Sequence, residues 1–158
     1  MSLTAQQLKE FVESLAATPE RWQHLVRHDD KMRVYELIWD DEDVNAWVIC
    51  WTKDQDTGFH DHDESVAAIA VISGEVYEER LRIGSSPHAR VIRGGSTFTV
   101  PPVAIHRVLH TGELPTVTLH AYSPPLVRTG AYRIRPDGEL QRELLSIDEE
   151  LRSVPALG

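Results

Sequence analysis

The sequence predicts a mainly β protein: an antiparallel barrel or sandwich with short N-terminal helices and a C-terminal helix. Two observations lead there. From Arg33 onward the chain breaks into short runs rich in β-branched and aromatic residues, the side chains that suit a pleated, half-buried surface. Gly, Pro or Ser punctuates nearly every junction, at Ser73-Gly74, Gly84-Ser85-Ser86-Pro87, Gly94-Gly95 and Pro101-Pro102, and no helical pattern intervenes, which argues against a parallel βαβ arrangement. The length of 158 residues, with 41% hydrophobic and 26% charged side chains, suits one domain spanning 1–158.

In order along the chain, residues 4–28 form a helical preface, within residues 1–30. Thr4 and Gln7 make a capping box, and Leu8, Phe11, Val12 and Leu15 fall on one helical stripe. Thr18-Pro19 starts a second short helix, with Trp22, Leu25 and Val26 on its buried side. "RVYELIW" and "NAWVICW" flank "DDED" as a hairpin, and "SVAAIAVI", "EVYEERLRI", "ARVI", "STFTV", "IHRVLH" and "TVTLHAY" follow as strands. One more strand surrounds "YRIR", and "ELLSIDEELRS" reads as the closing helix.

Composition removes several functions. A net charge of −9 with no basic patch excludes a nucleic-acid binder. No apolar run approaches a membrane span. The N-terminal "MSLTAQQLKEF" lacks the regions of a signal peptide, and a lone cysteine fits a reducing compartment, so a cytoplasmic location is expected. Monomer and small homo-oligomer both suit such a chain.

Chemistry concentrates in "TGFHDHDES". On an extended strand His60 and His62 project to one face, because side chains alternate with period two. Phe59, Asp61 and Asp63 point the other way, and Asp61, Asp63 and Glu64 are expected to face solvent or to orient a histidine from behind. In "GSTFTVPPVAIHRVLH" the proline-rich turn sends His106 back toward the interior, where a closed sheet can set it opposite the pair. Three imidazoles on rigid strands suit a divalent transition metal. Cys50 reads as a core thiol, His24, His28 and His88 as surface residues, and His110 is left unassigned.

These two segments resemble the cupin superfamily, whose fold is an antiparallel jelly-roll barrel. "TGFHDHDESVAAIAVISG" follows its first motif and "GSTFTVPPVAIH" its second. The glutamate that most cupins use as a fourth ligand is absent, with Val66 and Ala67 in its region and Glu64 too early in register. That absence, the tryptophan-led "WTKDQDTGFHDHDES" and the later "TLHAYSPPL" are similar to the thiol dioxygenases, of which cysteine dioxygenase is the type. The resemblance runs from about Arg33 to about Leu126, the motif-bearing barrel at 33–126.

The resemblance implies a cofactor, Fe(II), on His60, His62 and His106, and a relay of Thr118, His120 and Tyr122 beside it. It also implies a cis Ser123-Pro124 bond. Ala67 occupies the position from which a cysteine crosslinks to the tyrosine in mammalian members, so Tyr122 is expected unmodified. Arg33 is the candidate clamp for a substrate carboxylate, with an insertion near "DDEDVN" and with Arg80, Arg128 and Arg133 as fallbacks. The implied reaction oxidises L-cysteine to cysteine sulfinic acid with O2, so the partners are a small thiol and O2. A 3-mercaptopropionate dioxygenase is the alternative within the family. A non-catalytic metal-binding cupin that senses a small ligand is the alternative outside it.

Overall fold

The structure is a computed structural model and describes residues 2–152. Eleven strands form two antiparallel sheets. The first sheet holds β1 (Val34–Asp40), β2 (Asn45–Trp51), β4 (Val66–Ser73), β7 (Thr97–Val100) and β9 (Thr116–Ser123), in the order β1-β2-β9-β4-β7. The second holds β3 (His60–Asp61), β5 (Glu75–Arg82), β6 (Ser85–Arg93), β8 (His106–Leu109), β10 (Arg128–Ile134) and β11 (Leu140–Ser146), in the order β11-β10-β3-β8-β5-β6. This is the jelly-roll architecture that the sequence predicts, with more strands in its tail.

The central strands of the first sheet are buried on both faces, and this positions the site. The helix α1 (Ala5–Ala16) covers its outer face with Leu8, Val12 and Leu15, which pack against Ala46, Val48, Cys50, Val117, Leu119 and Ala121. Its inner face meets the second sheet through Ile49, Trp51, Ile69, Val76 and Val108. Every residue of β2 and β9 is therefore buried. Along β9 the apolar Val117, Leu119 and Ala121 go under the helix, while Thr118, His120 and Tyr122 go into the barrel. The polar row faces inward, which is the reverse of a strand with one solvated face.

Local chemistry sets the junctions. The capping box forms as expected: the Gln7 N–H donates to Thr4 Oγ1 at 3.2 Å, and the Thr4 N–H donates to Gln7 Oε1 at 2.9 Å. In "DDED", Asp41 Oδ1 accepts from the Asp43 and Val44 N–H groups, closing the β1–β2 hairpin. Gly74, between β4 and β5, has φ +74, and a Cβ there would lie 2.1 Å from Thr116 Oγ1, so only glycine fits this turn.

Three expectations about elements change. The second helix is a pair of 3-10 turns, Pro19–Arg21 and Gln23–Leu25. Thr18 makes no cap, since its hydroxyl donates to the Ser14 carbonyl. Trp22, between the turns, is drawn inward by a 2.9 Å bond from its Nε1 to the Leu15 carbonyl, and continuous helix does not form. The tail carries two strands, because Arg128–Ile134 pairs with Leu140–Ser146 along its full length. The closing helix α2 is thus shortened to Ile147–Arg152, with Glu143–Ser146 in β11. Of the expected closing segment, Ser153 lies outside the described residues, as does Met1 of the preface.

Candidate metal centre

His60 and His106 are directly opposed across the β3–β8 ladder, where cross-strand Cβ atoms stand about 4.5–5.5 Å apart. His62 follows β3 and turns to the same side, with Asp63 at φ 57 carrying the chain away. The Nε2 atoms of His60 and His62 lie 3.2 Å apart, and those of His106 and His62 3.4 Å apart. All three imidazoles are buried, and each offers a ring nitrogen within 4.8 Å of the others.

The tautomers follow from what lies behind each ring. His60 Nδ1 faces the Gly58 carbonyl oxygen at 2.9 Å, and His106 Nδ1 faces Glu78 Oε2 at 2.8 Å. Both partners only accept, so both Nδ1 atoms carry the proton and both Nε2 atoms present lone pairs to the centre. Burial first, then the neighbouring His60, hold His62 and His106 well below the ordinary imidazole range, so they are neutral and fit to ligate. Ligand distances of about 2.0–2.1 Å to an ion place adjacent nitrogens about 3 Å apart. The observed separations fit, and His60, His62 and His106 can hold one metal ion. Among the described residues no carboxylate joins this group.

The facing sheet supplies a hydrogen-bonded chain. Trp51 Nε1 donates to Thr118 Oγ1 at 2.9 Å, Thr118 Oγ1 lies 2.9 Å from His120 Nε2, and His120 Nδ1 lies 3.2 Å from Tyr122 Oη. Burial, then His60 and Arg33, push His120 down to about 3, which keeps this imidazole neutral. Trp51 can only donate. If Thr118 then donates to Nε2, the Nδ1–H donates to the phenol oxygen, and the phenol proton can be directed away from His120. The Tyr122 ring centroid is 5.3 Å from that of His62, so the chain ends beside the three imidazoles.

Arg33 is 6% exposed and lines the same cavity as His60, His106 and Tyr122. Its guanidinium lies over the Trp51 ring at 5.4 Å and donates to the carbonyl oxygens of Asp56 and, at 3.1 Å, Leu151. The fallback arginines lie elsewhere: Arg80 binds Glu78, Arg128 pairs with Asp63, and Arg133 pairs with Glu143. The β1–β2 pairing shifts register between Leu37 and Trp39. Ser123-Pro124 is cis. Ala67 is the cross-strand partner of Tyr122, while Cys50 lies in the core cluster that α1 joins, where burial pushes its thiol up.

One expectation fails. Asp61 does not face solvent: it accepts from Tyr132 Oη at 2.6 Å and from Arg142 Nε and Nη2, both at 2.9 Å. Burial would raise its carboxyl, but the bonds from Arg142 and Tyr132 hold it well below the usual carboxylate range. The cause is β11, which carries Arg142 across Gly130, where a Cβ would stand 2.2 Å from Arg142 Nε. Glu64 is exposed, and Asp63 is partly buried beside Arg128. His110 is buried with Nε2 2.7 Å from the Leu114 carbonyl, and it does not line the cavity.

Sequence reasoning missed three contributors. Glu78 lies fully buried behind His106. Thr129 lines the cavity with a buried hydroxyl that has no hydrogen-bond partner among the described residues. Leu151 of α2 closes the cavity over Arg33. The alternation Val76, Glu78, Arg80 within "EVYEERL" did carry a signal, since it places an acid in an inward row.

Two outcomes follow. His106→Ala should fold yet lose most of its bound transition metal, as read by elemental analysis of the purified protein; full retention would contradict the three-imidazole assignment. The second concerns acid. Unfolded His120 takes up a proton near pH 6.5, whereas the folded residue does so only near 3. Below pH 6.5 the unfolded state therefore binds more protons, and stability falls as pH falls. His120 alone should cost the metal-free protein about 1.4 kcal/mol per pH unit below that point, with His62 and His106 acting in the same direction. Urea unfolding at pH 7.5, 6.5 and 5.5 should show this, and a flat profile would contradict a neutral buried His120.

Comparison with known proteins agrees with this geometry. The family model "Cysteine dioxygenase type I" matches residues 2–135. Cysteine dioxygenase type 1 of Danio rerio is 23% identical over 137 residues, covering 78% of this chain and 67% of the zebrafish protein. The Homo sapiens protein is 21% identical over 133 residues, covering 78% and 66%; the chain thus spans about two thirds of the relatives' length. A solved Klebsiella pneumoniae protein with a double-stranded β-helix domain superposes with a TM-score of 0.56 at 16% identity, over 76% of this chain and 91% of the other. A cupin superfamily protein from Desulfitobacterium hafniense gives 0.55 at 10% identity, over 65% and 87%. These two establish the fold. With the family model matched over most of its length, the chain belongs to the cysteine dioxygenase type I family and has the cupin fold.

Proposed function

We propose that the protein is an iron-dependent thiol dioxygenase that converts L-cysteine to cysteine sulfinic acid. The observation that carries this reading is one cavity holding three imidazoles, Arg33 and Tyr122 together. The thiol and one O2 combine to R–SO2H: both oxygen atoms end on sulfur, the S–H hydrogen is retained as the acidic proton, and no further reductant is needed. Iron(II) on His60, His62 and His106 would supply the redox chemistry by which dioxygen and a thiolate combine. Three neutral ligands leave the ion's charge uncompensated, which favours an anionic sulfur over the neutral thiol.

The remaining tasks fall to the chain's own residues. Arg33 would bind the α-carboxylate in a bidentate, charge-assisted contact, with Trp51 beneath the guanidinium and the Leu151 carbonyl fixing its orientation. Tyr122 would donate to a substrate oxygen, held in register by His120, Thr118 and Trp51. Ile69, Leu126 and Leu151 would exclude water, which strengthens both contacts.

A panel of small thiols tests the reading. Fe(II)-loaded protein should consume oxygen with L-cysteine and yield the sulfinate. Cysteamine should be a poor substrate, because it offers no carboxylate for Arg33 to bind. 3-Mercaptopropionate should be slow, because it lacks the amine. Arg33→Ala should lower kcat/KM for cysteine by about 10²-fold or more, the loss of a buried charged contact. Faster turnover of 3-mercaptopropionate would reassign the substrate, and no oxygen uptake with any of the three would overturn the reading for small thiols.

A further inference from the structure

Each candidate ligand has a different environment behind it. His60 Nδ1 donates to the Gly58 carbonyl, His62 Nδ1 has no hydrogen-bond partner among the described residues, and His106 Nδ1 donates to an acid, Glu78. Glu78 sits on β5, fully buried, with Val108 of β8 and Arg90 of β6 as its cross-strand neighbours. Its Oε1 accepts from Arg80 Nε at 3.1 Å and Arg90 Nε at 2.9 Å, and its Oε2 accepts from His106 Nδ1 at 2.8 Å. The arginines are themselves held: Arg80 Nη2 donates to the Thr99 carbonyl at 2.6 Å, and Arg90 lies over the Phe98 ring at 5.0 Å.

An interior carboxylate with two guanidiniums is not explained by stability alone, since apolar side chains of similar volume commonly do as well in such a place. What an apolar residue cannot do is accept the His106 Nδ1–H. We propose that Glu78 is a positioning residue for the metal centre. It locks His106 in the tautomer whose Nε2 lone pair faces His60 and His62, and it places a negative charge one imidazole away from the ion. Most cupins have a glutamate that binds the metal directly; here the carboxylate acts through a histidine instead. The carboxylate takes no coordination position, and that position stays available to a substrate atom. Arg80 and Arg90 hold the carboxylate in line.

This inference rests on metal binding by the three histidines and not on the identity of the substrate, so its test avoids turnover. Zn(II) affinity of the full chain, measured by competition with a chelator, should fall about 10–100-fold in Glu78→Ala. It should fall less in Glu78→Gln, whose amide oxygen can still accept from Nδ1 but carries no charge. Urea midpoints of the metal-free variants separate this effect from loss of fold. In metal-free wild-type protein, ¹⁵N NMR should find His106 protonated at Nδ1, and that preference should weaken in Glu78→Ala. Unchanged Zn(II) affinity in both folded variants would overturn the proposal. If neither variant folds, the wild-type spectrum decides: His106 protonated at Nε2 would overturn it as well. Activity on thiols can fail for any reason without touching these readouts.

Discussion

The fold is organised around the burial of three imidazoles whose ring nitrogens converge. Buried ring nitrogens 3.2 and 3.4 Å apart are unfavourable for one another unless a proton or an ion lies between them. Burial resists the proton, since it pushes His62 and His106 well below the ordinary imidazole range. An ion satisfies all three at once. The strands that hold the rings are accordingly tied from behind: β3 by Asp61 to Tyr132 and Arg142, β8 by Glu78 to Arg80 and Arg90. Buried charge pairs of this kind contribute little net stability, but they fix strand register, and a slip of one residue would turn His60 out of the barrel.

The two sheets divide the chemistry. The second sheet carries His60 and His106 on facing strands, and the first carries Thr118, His120 and Tyr122 on β9 and Trp51 on β2. Because α1 seals the outer face of the first sheet, β9 can spend its inner face on polar groups without losing its hydrophobic anchoring. Arg33 enters just before β1, and α2 closes over it from the other end of the chain. The cavity therefore forms only when N-terminal, central and C-terminal parts have all packed.

Much of this was legible in the sequence. The capping box, the β1–β2 hairpin and the row Thr118, His120, Tyr122 have local signatures, and the two histidine motifs in order carried the fold and the three-histidine group that could hold a metal. What stayed hidden depends on contacts distant in sequence. Asp61 reads as a solvated acid until β11 brings Arg142 across Gly130. Glu78 lies in a charged run, "EVYEERLR", whose alternation sets it on the face of Val76, but its partners come only with β8 and β6 on both sides of it. Thr129 and Leu151 line the cavity only through the placement of a tail whose second strand resembles a helix in its side-chain pattern.

The most direct test of the metal centre is anomalous diffraction from crystals of the Fe(II)-loaded protein. A single ion should appear between His60, His62 and His106, bound through the three Nε2 atoms at about 2.0–2.2 Å, with no protein carboxylate among its ligands and Glu78 still bonded to His106 Nδ1. An ion held by Asp61, Asp63 or Glu64, or none at the three histidines, would contradict the account.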